Sequence, residues 1–84
     1  MGQILARMKH PRPPYAKLRK LPRCDVGGIS VFTDRPITVA IQVAMKVEHR
    51  RRDDFARRWW GYCNHQGRRV YWMRYGFAIH YFGR

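Results

Sequence analysis

The chain has 84 residues and a net charge of +13, from 18 lysines and arginines against 5 acidic residues. This length allows one small domain, and two cysteines cannot form a framework of disulfides. Hydrophobic residues make up 45% of the chain and aromatic residues 14%, which excludes a simple disordered basic tail. A net charge this high on a chain this short predicts a polyanionic or large partner. We do not expect an isolated monomer to be the functional form.

The N-terminal 23 residues are basic and contain no acid. Their charged side chains are Arg7, Lys9, Arg12, Lys17, Arg19, Lys20 and Arg23. This composition is typical of an organellar transit peptide, so we predict a protein of the mitochondrial matrix whose N-terminus is not cleaved. The most apolar block, residues 37–47, carries Gln42 and Lys46 and is too short to cross a bilayer, so we predict no transmembrane helix.

Four prolines punctuate the same region: Pro11, Pro13, Pro14 and Pro22. Because proline fixes φ and lacks a backbone N–H, they predict extended backbone over residues 10–23. We therefore divide the chain into a basic, proline-rich extended arm (residues 1–28) and a single small helical and aromatic module (residues 29–84). The arm either drapes over a partner without specific recognition or follows an irregular RNA surface. Residues 24–28 predict a turn region because they end in Gly27 and Gly28.

The central stretch, residues 34–60, predicts one long helix. Thr38, Gln42 and Lys46 recur at every fourth position, which places them on one polar stripe of a helix. Acid-first pairs at i,i+4 stabilise a helix by about 0.2–0.5 kcal/mol each. Three such pairs continue the pattern: Glu48 with Arg52, Asp53 with Arg57, and Asp54 with Arg58.

The ends of this helix also have sequence signals. Asp34 is the predicted N-cap, Pro36 lies in the first turn, and Gly61 ends the helix. Residues 37–47 alternate apolar and more polar positions as well, which is the pattern of a half-buried strand. In that alternative the fold is α+β, with a hairpin over residues 29–47. The helix-forming composition and the charged pairs favour the helix, and hence a mainly α, small and extended fold.

The C-terminal part predicts a turn followed by aromatic extended structure. Residues 61–67 contain two glycines and read as a turn. Within residues 70–83 the aromatic and apolar side chains alternate, which predicts a strand or extended tail that Gly76 bends. Such rings either stack on bases or pack against protein, and packing is the more frequent role. We assign a protein interface to Trp59, Trp60, Tyr71, Trp72, Tyr75 and Phe77.

Arginine dominates the basic residues, with 14 arginines and 4 lysines. A guanidinium binds phosphate oxygens in a bidentate fork and stacks on bases, although a preference for arginine codons would produce the same bias. Three consecutive arginines spread around a helix and do not suit the single groove of duplex DNA. The predicted RNA-binding residues are Lys9, Arg12, Lys17, Arg19, Lys20, Arg23, Arg50, Arg51, Arg52, Arg57, Arg58, Arg68 and Arg69.

The sequence predicts no catalytic residues, metal or cofactor. Cys63 and His65 form a C-x-H pair with Cys24 far upstream, and this spacing does not match structural zinc. Ser30 lies in a short apolar run, and so short a chain forms no deep pocket for a small-molecule substrate. We predict that the protein is not an enzyme. A disulfide between Cys24 and Cys63 is the alternative to two free thiols.

These observations predict a non-catalytic structural subunit of a large ribonucleoprotein. The specific prediction is a supernumerary mitochondrial ribosomal protein whose partners are rRNA and neighbouring ribosomal proteins. The alternative is an accessory subunit on the matrix face of a mitochondrial inner-membrane complex, such as a respiratory complex or ATP synthase. In that alternative the arginines pair with acidic subunits and anionic lipids. Double-stranded DNA packaging is less favoured, because it ordinarily uses longer basic runs and fewer tryptophans.

Overall fold

The computed structural model describes residues 12–50 and 58–84. Of these residues, 32% lie in strands and 39% in helices. The described strands form a four-stranded antiparallel sheet, and one main helix packs on it, so the fold is small and α+β. The prediction of a mainly α fold is therefore wrong.

The sheet is built from two hairpins that meet at its centre. The strands are β1 (Arg23–Val26), β2 (Ile29–Phe32), β3 (Trp60–His65) and β4 (Arg68–Arg74). Their spatial order is β1-β2-β4-β3, and each neighbouring pair is antiparallel. The central strands β2 and β4 come from different halves of the chain, whereas β1 and β3 form the two edges.

Both hairpins close with two-residue turns. Gly27 and Gly28 connect β1 to β2, and Gly27 has a φ of 59°. The turn predicted over residues 24–28 is confirmed only at these two glycines, because residues 24–26 lie in β1. Gln66 and Gly67 connect β3 to β4 with φ values of 52° and 79°, the left-handed pair that matches strand twist. The turn predicted over residues 61–67 is wrong except at these last two residues. Arg35 clamps this turn by donating to the His65 carbonyl at 3.0 Å and to Gln66 Oε1 at 2.5 Å.

The main helix, here α2, spans Ile37–His49. This confirms the helix over residues 37–47, and the alternative hairpin over residues 29–47 is wrong. The predicted limits of 34–60 are wrong too, because Pro36 is the N-cap and the Asp34 side chain makes no capping hydrogen bond. Gly61 lies in β3 rather than at a helix end. Residues 51–57 lie outside the described part of the chain, and the three predicted charged pairs fall wholly or partly on them.

One face of the sheet, the α2 face, is covered by the main helix. Apolar residues of α2 at helical spacing pack against alternate residues of β2 and β4. The helix contributes Val39, Ala40, Val43, Ala44 and Val47, and the sheet contributes Ile29, Val31, Val70 and Trp72. The outward side of α2 exposes a second apolar stripe of Ile37, Ile41 and Met45.

The opposite face, the α1/α3 face, is covered in part by two short helices. These are α1 (Tyr15–Arg19) and α3 (Tyr75–Phe82). Their buried Leu18 and Ala78 pack against residues of the three strands β2, β3 and β4, among them Phe32 and Met73. The irregular N-terminal arm is therefore wrong for the described residues, because α1 forms between Pro14 and Pro22 and the chain then enters β1. The predicted C-terminal strand ends at Arg74, and Gly76 lies in α3 instead of bending a strand.

An internal polar network ties β1 to the end of α3. Arg23 Nη1 donates to the Gly83 carbonyl at 2.6 Å, and Arg23 Nε lies 3.2 Å from Asp25 Oδ1. The fully buried Ser30 donates its hydroxyl to the same carboxylate oxygen at 2.6 Å. Within residues 12–50 and 58–84, no helix is long and apolar enough to cross a membrane, as predicted.

Candidate nucleic-acid interface

Edge strand β3 leaves part of the α1/α3 face open to solvent. Alternation along β3 points Gly61 and Cys63 toward α2, and it points the residues between and beside them to the other face. We call this surface the Tyr62 face. It consists of Lys17, Trp60, Tyr62, Asn64, Arg69 and Tyr71.

The aromatic rings of the Tyr62 face form one continuous patch. The Trp60 and Tyr71 rings are 6.5 Å apart between centroids and inclined by 19°, and those of Tyr62 and Tyr71 are 5.7 Å apart. Tyr71 is 8% exposed and belongs to the core, whereas Tyr62 is 43% exposed. The core thus supports an outer ring that has surface available for a partner.

Two cations lie over these rings. The Arg69 guanidinium carbon is 4.5 Å from the Tyr62 centroid, and Lys17 Nζ is 5.2 Å from the Tyr71 centroid. A hydrogen bond with the Tyr71 side chain, followed by the nearby Tyr62 hydroxyl, raises the pKa of Arg69 above its usual value. Arg69, like any arginine, is charged at biological pH. Within the described residues, neither cation forms an ion pair with a carboxylate.

The contacts between these cations and rings are weak enough for a stacked base to replace them. A cation over an exposed ring is stabilised by about 0.5–1 kcal/mol. A nucleic-acid base stacked on an aromatic side chain contributes about 1–3 kcal/mol. Since Arg69 and the Tyr62 ring are both exposed, a base can take the surface of that ring while the guanidinium moves to an adjoining phosphate.

The α2 side of β3 is basic as well. Burial raises the pKa of the Cys63 thiol, while the positive charges of Lys46 and Arg50 near it oppose that shift. Arg68 stands opposite His65 at the start of β4, on the same side of the sheet as Cys63. The β3 edge is thus flanked by positive charge on both faces.

The structure gathers some of the predicted RNA-binding residues and separates others. Lys17 and Arg69 meet on the Tyr62 face, and α1 ends with the exposed Arg19, which the exposed Lys20 follows. Arg23 is committed to the internal network described above. Among the rest, Arg12, Arg50, Arg58 and Arg68 are exposed in the described regions. Lys9, Arg51, Arg52 and Arg57 lie outside them.

The residues predicted for a protein interface divide between surface and core. Trp72 is fully buried beneath α2, and Tyr71 is almost fully buried on the opposite face of the sheet, so little of either ring is left for a partner. Phe77 is 42% exposed and lies 4.7 Å from the Trp59 ring, and this pair adjoins Tyr81 on the outer side of α3. The other two, Trp60 and Tyr75, are half-buried.

Tyr62 and Asn64 are not among the residues that the sequence predicts for binding, because residues 61–67 predict a turn there. The available signal was the alternation of Trp60, Tyr62 and Asn64 directly before a Gln-Gly turn and two arginines. Such an arrangement is typical of an edge strand entering a hairpin.

The soft side chains are not grouped in the described part of the chain. Cys24 and Cys63 are both free and lie on opposite edge strands. Three strand spacings separate those edges by about 14 Å, too far for a disulfide without rearrangement. No group of three potential metal ligands is found within residues 12–50 and 58–84.

The Tyr62 face therefore combines rings, unpaired cations and a rigid edge strand, and its chemistry suits a phosphate-bearing aromatic polymer. The chain was compared with protein-family models, with curated proteins and with solved structures, and none of the three gave a match.

Proposed function

We propose that this protein is a non-catalytic, RNA-binding structural subunit of a ribonucleoprotein. The observation that carries the proposal is the Tyr62 face, where Lys17 and Arg69 lie over aromatic rings and form no ion pair within the described residues. Cations and rings at one surface supply the two chemical groups that RNA recognition needs, namely phosphate partners and stacking partners.

Charge supports the same function. With a net charge of +13, the chain attracts a polyanion from any direction, and the β3 edge concentrates cations on both faces. Of the described carboxylates, Asp25 is paired with Arg23 and Glu48 lies 4.0 Å from Arg74. The third described acidic residue, Asp34, is exposed just before α2, and none of the three forms an ion pair with Lys17 or Arg69.

The first test is the salt dependence of RNA binding. The log-log slope of affinity against salt for a single-stranded RNA is expected to be about −4 if some six phosphates are neutralised. Arg69→Gln should reduce the magnitude of that slope by about 0.7, and Arg69→Lys should preserve it. Filter binding over a series of NaCl concentrations measures all three slopes.

A slope near zero for the unmodified protein would contradict RNA binding. Competition with heparin is the control for non-specific attraction to a polyanion. RNA should remain bound when heparin is added at the same concentration of negative charges as the RNA carries. For the ribonucleoprotein assignment, the native protein should sediment with RNA particles and shift after ribonuclease treatment. Sedimentation with a membrane complex would instead support the matrix-side alternative. Placement in a mitochondrial ribosome stays a prediction.

A further inference from the structure

We infer that the Tyr62 face binds unpaired nucleotides, with a base stacked on Tyr62 and its phosphates held by Arg69 and Lys17. The inference rests on the proposed RNA-binding function and specifies its ligand as single-stranded rather than duplex RNA. It is carried by an exposed ring on edge strand β3 with two cations beside it, Arg69 on β4 and Lys17 on α1, neither of which forms an ion pair within the described residues.

The position of Tyr62 makes it the principal stacking surface. Its neighbour Tyr71 is buried and holds it from the core side, and the centroids of these rings are 5.7 Å apart. Because Tyr62 lies on a strand paired along its whole length to β4, its backbone is fixed. A base that stacks there meets a ring that needs little ordering upon binding.

Trp60 provides a second ring on the same face of β3, two residues before Tyr62. Residues two apart on a strand point to the same face and lie about 6.8 Å apart. Trp60 and Tyr62 both adjoin Tyr71, so successive bases of an extended strand find successive rings. Asn64 continues the row and supplies amide donors and an acceptor for a base edge.

Duplex RNA cannot use this surface in the same way. In a duplex, the faces of the bases are stacked on one another and unavailable to side chains. Lys17 and Arg69 could still contact duplex phosphates, but the rings would contribute nothing. A preference for single strands is therefore the signature of stacking, whereas equal binding would indicate phosphate contacts alone.

Fluorescence anisotropy with a labelled 12-nucleotide RNA, alone and annealed to its complement, tests the inference at fixed salt. The unmodified protein should bind the single strand at least about tenfold more tightly. Tyr62→Ala should weaken single-strand binding by about 5- to 150-fold and leave duplex binding and the salt slope unchanged. Tyr62→Phe keeps the ring and should bind within about twofold of the unmodified protein.

A single strand with abasic positions gives an independent check. It should bind the unmodified protein as weakly as the normal strand binds Tyr62→Ala, and the variant should not distinguish the two strands. Equal affinity for single strand and duplex, or an equal loss on both in Tyr62→Ala, would overturn stacking and leave RNA binding intact. Failure of the unmodified protein to bind either RNA would overturn the proposed function itself. Circular dichroism confirms that each variant is folded.

Discussion

Gly61 and Gly76 show how differently two glycines in one small chain are constrained. A Cβ placed on Gly61 would lie 3.0 Å from Cζ2 of Trp72 and 3.1 Å from two further ring atoms. Trp72 is completely buried under α2, so its ring has little room to retreat. Gly76 lies in α3 with nothing within 4 Å of the corresponding position and no positive φ.

The same substitution should therefore have opposite effects at the two positions. Gly61→Ala is expected to lower the free energy of unfolding by about 1–3 kcal/mol, because it overpacks the core against Trp72. Gly76→Ala is expected to raise it by at most about 0.5–1 kcal/mol, the difference in helix propensity at an interior position, since Gly76 lies in the first turn of α3. Urea unfolding measures both. If Gly61→Ala is as stabilising as its control, the contact with Trp72 does not limit the sheet.

The elements reveal where sequence patterns sufficed and where burial overrode them. The four-residue spacing of residues 37–47 predicted α2 because that helix has one buried and one polar stripe. Past His49 the charged pairs suggested more helix, but such pairs contribute only a few tenths of a kcal/mol each. From Trp60 the chain forms β3, in which Gly61 is buried and Cys63 packs beside the core under α2, so an edge strand stands where the helix was predicted to end.

Strand β4 was obscured for a related reason. Val70, Tyr71, Trp72 and Met73 are all buried, because helices cover both faces of the sheet at this point. A strand buried on both faces shows a continuous apolar run rather than alternation. The apparent alternation ran on to Tyr81, although α3 begins at Tyr75. The cations of the Tyr62 face were foreseen by charge, whereas its central ring depended on the pairing of β3.

The Arg23 side chain is expected to hold the end of α3 against β1. Arg23→Met keeps the aliphatic stem and removes the hydrogen bond to the Gly83 carbonyl and the ion pair with Asp25. The free energy of unfolding should fall by about 1–2 kcal/mol, toward the low end for charged hydrogen bonds because the bond to Gly83 is exposed to solvent. Hydrogen exchange at the Gly83 amide, which donates to Ile79, should accelerate further than that at β4.

The matched control is Arg68→Met, at an exposed arginine on the β3–β4 hairpin. It should change stability by no more than about 0.5 kcal/mol. Equal effects of the two substitutions would mean that Arg23 acts through net charge rather than through its internal bonds.

The whole molecule has a hydrophobic core on each face of its sheet and, at the same time, a net charge of +13. Mutual repulsion among surface cations destabilises the compact state and is screened by salt. The melting temperature should therefore rise as NaCl increases from about 10 to 200 mM, over which the screening length falls from about 30 Å to below 10 Å. Each 1 kcal/mol of relieved repulsion raises the melting temperature by about 4–8 °C.

Calorimetry or circular dichroism records this shift, and an uncharged sugar at equal osmolality is the control. A falling melting temperature on addition of salt would mean that internal ion pairs such as Arg23 with Asp25 outweigh the repulsion. Single-stranded RNA at low salt should produce a larger rise than NaCl, because it adds binding free energy to neutralisation.

The meeting of the two hairpins at β2 and β4 bears on how the polypeptide matures. Ile29 pairs with Arg74 and Phe32 with Tyr71, so the middle of the sheet joins residues about forty positions apart. Closing that loop costs entropy before any contact rewards it, which slows folding relative to a local hairpin. A ribosome synthesising this chain must release β4 before β2 acquires its second neighbour. Until then the side chains of Ile29 and Val31 cannot be fully buried, and the Tyr62 ring lacks the neighbouring strand β4 that holds it.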